Sequence, residues 1–357
     1  MLRAPRRALS ALVVLVLLGA TPALAAEEAP EAAVEVDRVS GHDRYATAAR
    51  VAEQFDQVSD TVFLANGEDW AQGADAVAAG AAAGSGVFPD LVEGDPGEPS
   101  PVLLTRATGL PAATRAALEE RAPSQAVVLG GPGVILPAVD QELLEMGITP
   151  VRAFGRSRYG TAAVLSTAFG PGVEQVYVAS GEATFEDPPY PPMMPDALAA
   201  SARAGAEDAP VLLTRRDTLP PETRAALEAL EPAAITIVGG ENGVSLRVAL
   251  ELAEIAPTTR VKGTTRYETA AALFEGYDPG GRTYVASGEF FADSLAVSAL
   301  AAAEGSSLLL VRKPFLTSAT ERALLSLDPT AVRVIGGPGV ILEAVLDDIR
   351  RLLDGDR

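Results

Sequence analysis

Short apolar runs alternate along the first third of the chain with longer stretches in which small or apolar residues recur at helical spacing. Runs so short and uniformly apolar predict strands covered on both faces, with helices between them. The pattern predicts a strand at Val34–Gly41, an amphipathic helix from Arg44 to Phe55, a strand at Thr61–Asn66 and a helix of small residues over Asp75–Ala83. A strand at Val102–Thr105, a helix at Pro111–Arg121, a strand at Ala126–Leu129 and a helix near Pro137–Met146 complete the series. Strands alternating with helices indicate a parallel sheet with right-handed crossovers, a Rossmann-like α/β sandwich.

The whole pattern occurs three times. Gly41-His-Asp-Arg-Tyr-Ala-Thr-Ala48 is matched by Gly155-Arg-Ser-Arg-Tyr-Gly-Thr-Ala162 and Gly263-Thr-Thr-Arg-Tyr-Glu-Thr-Ala270. The segments VFLANGE, VYVASGE and TYVASGE follow, then PVLLT, PVLLT and SLLLV, then Gly130-Gly131, Gly239-Gly240 and Gly336-Gly337. The spacing between copies is far longer than that of a solenoid repeat, so the copies are tandem domains. Their spans are 34–147, 148–256 and 257–357, after a short N-terminal stretch at 26–33. Differences between copies concentrate in loops, notably Gly84–Pro101 and the proline-rich Asp187–Pro195; Trp70 lies in another inserted loop.

The recurring polar residues cluster at the carboxyl ends of the strands, the edge where open parallel sheets bind ligands. Asp43, Ser157 and Thr265 are good N-cap types, which puts Arg44, Arg158 and Arg266 in the first helical turn. A cation there opposes the positive end of the helix dipole by ~0.3–1 kcal/mol. Such an Arg holds an anion, or it bridges to a carboxylate of a neighbouring module. Tyr45, Tyr159 and Tyr267 are expected to pack their rings and leave the hydroxyl at the edge. Asp75, Asp196 and Asp293 open the small-residue helices, where capping accounts for them and ligand contact is a further role. Thr105 and Thr214 end the third strands at the same edge; the third copy has Val311 there.

Composition narrows the chemistry. Net charge is −20 over 357 residues, which argues against nucleic-acid binding. No Cys and a single His remove disulfides, thiol nucleophiles and histidine-rich metal sites. His42 does not recur, so a repeated Ser-His-Asp triad is absent; neither a dinucleotide fingerprint nor a Walker loop is present. A carboxylate-based wall hydrolase on Asp43, Glu68 and Asp75 would be confined to the first copy. Residues 1–25 read as a signal peptide, with Arg3, Arg6 and Arg7 before an apolar stretch and Ala23-Leu24-Ala25 as the cleavage pattern. An exported chain is therefore expected, with no membrane span or covalent wall-sorting signal.

On G-x-x-R-Y-x-T-A in three copies, the Gly-Glu…Asp segment, PVLLT and the Gly-Gly pair, the sequence resembles the type 2 cell-wall-binding repeats of Gram-positive bacteria. The resemblance implies three modules packed as a pseudo-threefold trimer that hold an anionic secondary cell-wall polymer without covalent attachment. Family members usually carry an effector domain as well; none is visible here, so a separate protein cargo is a possible partner. No cofactor is implied, although divalent cations could bridge acidic groups to polymer phosphates. A structural, partner-binding scaffold is the alternative role, in which the Arg-Tyr elements only cement the modules together.

Overall fold

The computed structural model describes residues 33–56, 59–68, 73, 76–88, 97–182 and 194–355. Residues 1–25, read from the sequence as a signal peptide, lie outside them. In the first repeat, β1 (Glu35–Val39), α1 (Arg44–Ala52), β2 (Thr61–Asn66), α2 (Ala79–Ser85), β3 (Val102–Thr105), α3 (Ala112–Arg121), β4 (Gln125–Leu129) and α4 (Pro137–Glu145) follow in order. The second runs β5 (Thr149–Ala153), α5 (Arg158–Ser166), β6 (Gln175–Ser180), α6 (Pro195–Ala206), β7 (Val211–Thr214), α7 (Pro221–Leu230), β8 (Ala234–Val238) and α8 (Leu246–Ala253). The third runs β9 (Thr258–Val261), α9 (Arg266–Leu273), β10 (Arg282–Ser287), α10 (Phe291–Ala303), β11 (Ser307–Val311), α11 (Ser318–Leu327), β12 (Ala331–Ile335) and α12 (Glu343–Leu353).

Among the described residues these strands form three four-stranded parallel sheets, ordered β3-β2-β4-β5, β7-β6-β8-β9 and β11-β10-β12-β1. Every residue of β2 is buried, as its unbroken apolar character requires of a central strand. The strand that opens each sequence repeat completes another repeat's sheet. Thus β5 pairs with β4, β9 with β8, and β1 with β12, where Val39 stands beside Ile335. Neighbouring repeats are therefore joined by backbone hydrogen bonds, and the N-terminal strand ties the first repeat to the third.

The helices α2, α6 and α10 pack against one another. Their sequences, AGAAAGS, PDALAASARAGA and FADSLAVSALAAA, keep small residues at the contacts, so the backbones approach closely. Gly80 shows why: a Cβ there would run into the Ser298 side chain of α10 and crowd Ser201 of α6. The Ser201 hydroxyl donates to the Val77 carbonyl at 2.6 Å, a buried hydrogen bond between the first two repeats. The expected helix over Asp75–Ala83 is observed as Ala79–Ser85, and Asp75 lies outside the described residues. The Arg-Tyr helices meet this centre in cyclic order: α1 against α10, α9 against α6, and α5 against α2.

Candidate functional site: clefts between repeats

Each G-x-x-R-Y-x-T-A segment builds one rigid corner. The Thr hydroxyl accepts from the backbone N–H of the leading Gly: Thr47 from Gly41 at 3.1 Å, Thr161 from Gly155 at 3.0 Å, and Thr269 from Gly263 at 3.1 Å. Asp43, Ser157 and Thr265 cap the helices, accepting from the N–H groups of Ala46, Gly160 and Glu268. In the third repeat Glu268 closes a capping box. Hydrogen bonds from the Thr264 and Thr265 N–H groups hold its carboxyl below the ordinary value. The corner thereby sets Arg44, Arg158 and Arg266 at the first helical position, as the cap residues predicted.

Each of these Arg side chains reaches a carbonyl of the Gly-Glu turn in its own repeat. Arg44 donates through Nη1 to the Gly67 carbonyl at 2.6 Å, Arg158 to Gly181 at 3.0 Å, and Arg266 to Gly288 at 2.6 Å, each within its own repeat. Tyr45, Tyr159 and Tyr267 are buried, with their rings close over the same glycines. Burial raises the hydroxyl pKa of Tyr45 and Tyr159. Thr105 and Thr214 are fully buried, and their hydroxyls donate to carbonyls of the loop that follows, Gly109 and Thr218 among them. They order that loop and offer no open polar edge.

Asp196 and Asp293 are not the N-cap residues of their helices: Met194 and Phe290 hold those positions, and neither side chain makes a capping hydrogen bond. Both sit inside the first turn, against the first Gly of the next Gly-Gly pair. Gly239 and Gly336 have φ of 107° and 114°, and a Cβ there would come within 2.5 and 2.6 Å of Asp196 Oδ2 and Asp293 Oδ2. Glycine is thus required both by the turn and by the neighbouring carboxylate.

These parts converge in two clefts at equivalent junctions. One, of about 750 Å³, lies between Asp43, Arg44 and Glu68 of the first repeat and Phe290, Asp293 and the loop Gly337–Val340 of the third. The other, of about 780 Å³, lies between Lys262, Thr265 and Arg266 of the third repeat and Asp196 with the loop Gly240–Gly243 of the second. Each sets a recurring Arg of one repeat facing a recurring Asp of another. Burial pushes the Asp293 carboxyl up to about 6, with the Arg44 guanidinium opposing the rise. At the third junction the recurring Arg is Arg158. Asp75 and Trp70, like 187–193 of the proline-rich loop, fall outside the described residues.

Two further arginine sets recur that motif reading passed over. Arg38, Arg152 and Arg260 stand three residues before each leading Gly. They clamp the Gly-Gly loops, as when Arg260 donates to the Gly239 carbonyl at 2.7 Å and to the Val244 carbonyl at 2.9 Å. Arg106, Arg215 and Arg312 follow the third strands and lie over the Tyr45, Tyr159 and Tyr267 rings at 5.5, 5.0 and 5.4 Å. Their recurrence was visible in the sequence. The recurring Glu has a fixed task too: Glu68, Glu182 and Glu289 each accept a backbone N–H from the loop after the third strand. Among the described residues, no cluster of three acidic or His side chains could hold a metal ion, and no helix is long and apolar enough to cross a membrane.

Three α/β units with matching polar junctions define a tandem-repeat protein with clefts between its repeats. The chain belongs to the cell wall binding domain 2 (CWB2) family, which matches residues 38–140, 152–249 and 260–346. It is similar to the N-acetylmuramoyl-L-alanine amidase LytC of Bacillus subtilis (strain 168), 24% identical over 322 residues, covering 90% of this chain and 59% of that protein. It also resembles the amidase enhancer of the same organism, at 25% identity over 260 residues, or 72% of this chain and 34% of that protein. Among solved structures, Cwp6 from Clostridium difficile superposes with a TM-score of 0.78 at 22% identity, covering 90% of this chain and 48% of that one. Cwp8 from Clostridium difficile gives 0.72 at 23% identity, with 90% and 52% covered. The chain thus spans roughly a third to three-fifths of these proteins, and the structural likeness establishes the fold.

Proposed function

We propose that this is an exported protein that attaches to the cell wall by gripping an anionic secondary wall polymer in the clefts between its repeats. Family membership supports the cell-wall part of this reading. The observation that carries the rest is the recurrence of one geometry: two clefts of nearly equal size, each with a helix-leading Arg held at its rim. The Arg44 guanidinium, fixed through Nη1, keeps a fork geometry suited to phosphate or carboxylate. The overall charge of −20 repels such a polymer at long range, but screening over ~8–10 Å leaves local geometry in control at ordinary salt. Arg44 and Arg266 are the principal contacts, with Arg158 in the same role at the third junction.

The scaffold reading draws on a specific observation as well, because the same three Arg tie the Gly-Glu turns in place. A hydrolase reading draws less: Asp43 accepts the Ala46 N–H at 2.8 Å and Glu68 the Ala107 N–H at 2.8 Å, which makes them structural acceptors. Cosedimentation of the chain from residue 26 onward with purified walls separates the first two. The triple variant Arg44→Ala, Arg158→Ala, Arg266→Ala is expected to lose wall binding while keeping its circular dichroism spectrum. Full binding by a folded triple variant would refute the grip.

A further inference from the structure

Among the described residues, the cleft between the first and third repeats has walls that its counterpart lacks. Phe290 and Phe291 stand at the start of α10 along one side, and Pro338 and Val340 face them from the loop after β12. The other cleft presents Glu241, Asn242 and Thr264 instead, with Lys262 paired to Glu241 at 3.6 Å. In the aromatic cleft the Asp293 carboxylate is only 5% exposed, opens onto the cavity, and accepts no hydrogen bond and forms no ion pair among the described residues. A nearly buried carboxylate without donors is costly, and a ligand hydroxyl would supply them. Arg44, held at the opposite rim through Nη1, keeps Nη2 for an anion.

Aromatic faces, a donor-hungry carboxylate and a guanidinium within one cavity match a single kind of ligand. We propose that this cleft is a subsite for a sugar phosphate. The apolar face of the ring packs on Phe290, neighbouring ring hydroxyls donate to Asp293, and the phosphate meets Arg44. The polar cleft holds phosphate without selecting the sugar. This rests on the polymer-binding reading and assigns the part of the repeating unit that one junction recognises. Among the described residues, the other titratable groups lining the cleft are His42, Asp43 and Glu68. Because protonation weakens the acceptor, sugar recognition is expected to weaken as pH falls through about 6.

The test is titration calorimetry on the chain from residue 26 onward at pH 7.5, with glucose 1-phosphate and inorganic phosphate as probes. Glucose 1-phosphate is expected to bind about tenfold more tightly than phosphate, the scale of one or two hydrogen bonds to a charged group. Phe290→Ala should bring glucose 1-phosphate down to the level of phosphate without changing phosphate binding, and Asp293→Asn should abolish the preference while both probes gain from the lost negative charge. Lys262→Ala should leave the sugar preference intact. Thermal melts of each variant report its folding, and Phe290→Ala stands as the second probe should Asp293→Asn misfold. Equal affinity for the two probes, or a preference that survives both variants, would overturn the subsite even if wall attachment through the arginines holds. Failure of the arginine grip would instead appear in the cosedimentation of the triple variant.

Discussion

The two junction clefts are built on the same frame and lined differently. In both, a capped helix sets an Arg at one rim, and a carboxylate from another repeat packs under a Gly with positive φ. Among the described residues the side chains that fill the walls do not recur: Phe290, Phe291 and Pro338 on one side, Glu241, Asn242 and Lys262 on the other. The recurring residues are those the backbone needs to form the cleft at all. The others can vary with little structural penalty, and so they set what each cleft selects.

Substitution in the shared frame should break both clefts together. Gly80→Leu drives a branched side chain into Ser298 and Ser201 at the three-helix centre, and a loss of about 3 kcal/mol is expected from overpacking. A melt checks it, and wall binding should fall in parallel.

A change in one wall should separate the clefts. Asp293 carries a carboxyl raised by burial from 3.8 to about 6, so folding favours its protonated form. Its contribution to stability is full below pH 4 and is lost as pH rises through 6, a swing of about 3 kcal/mol. Asp293→Asn should therefore be more stable than the parent at pH 8 by up to that amount and should flatten the stability profile between pH 4 and 7. Denaturant unfolding at several pH values measures both.

The smallest effect concerns neither cleft. Ala122, Glu231 and Asp328 end three equivalent helices with φ of 47°, 46° and 40°, conformations that favour Gly. Glu231→Gly is expected to add about 1 kcal/mol of stability and leave wall binding unchanged. Loss of binding in this variant would show that the clefts are not insulated from the outer helices.

Much of the fold was legible because its signals are local. The runs Thr61–Asn66 and Val102–Thr105 appear as strands over those very residues, and Asp43, Ser157 and Thr265 cap as their chemistry suggests. The sheet to which Val34–Gly41 belongs was not legible, since its partner β12 lies about 300 residues away and leaves no mark on the local pattern. The same holds for the site. The Arg at the cleft rims could be read from repetition, but Thr105 and Thr214 could not be told from open ligands, because their acceptors depend on how the following loop folds back. Asp196 and Asp293 looked like caps in sequence. Tertiary packing against Gly239 and Gly336 turns them into cleft walls instead.

Hydrogen exchange by mass spectrometry, with and without purified anionic wall polymer, asks most directly whether the junctions are where the wall is held. Protection is expected in peptides covering 41–47, 263–269, 290–293 and 336–340. Protection confined to the outer helices α4 and α8, where Leu144, Leu246 and Leu250 are exposed, with the junction peptides unchanged, would contradict it.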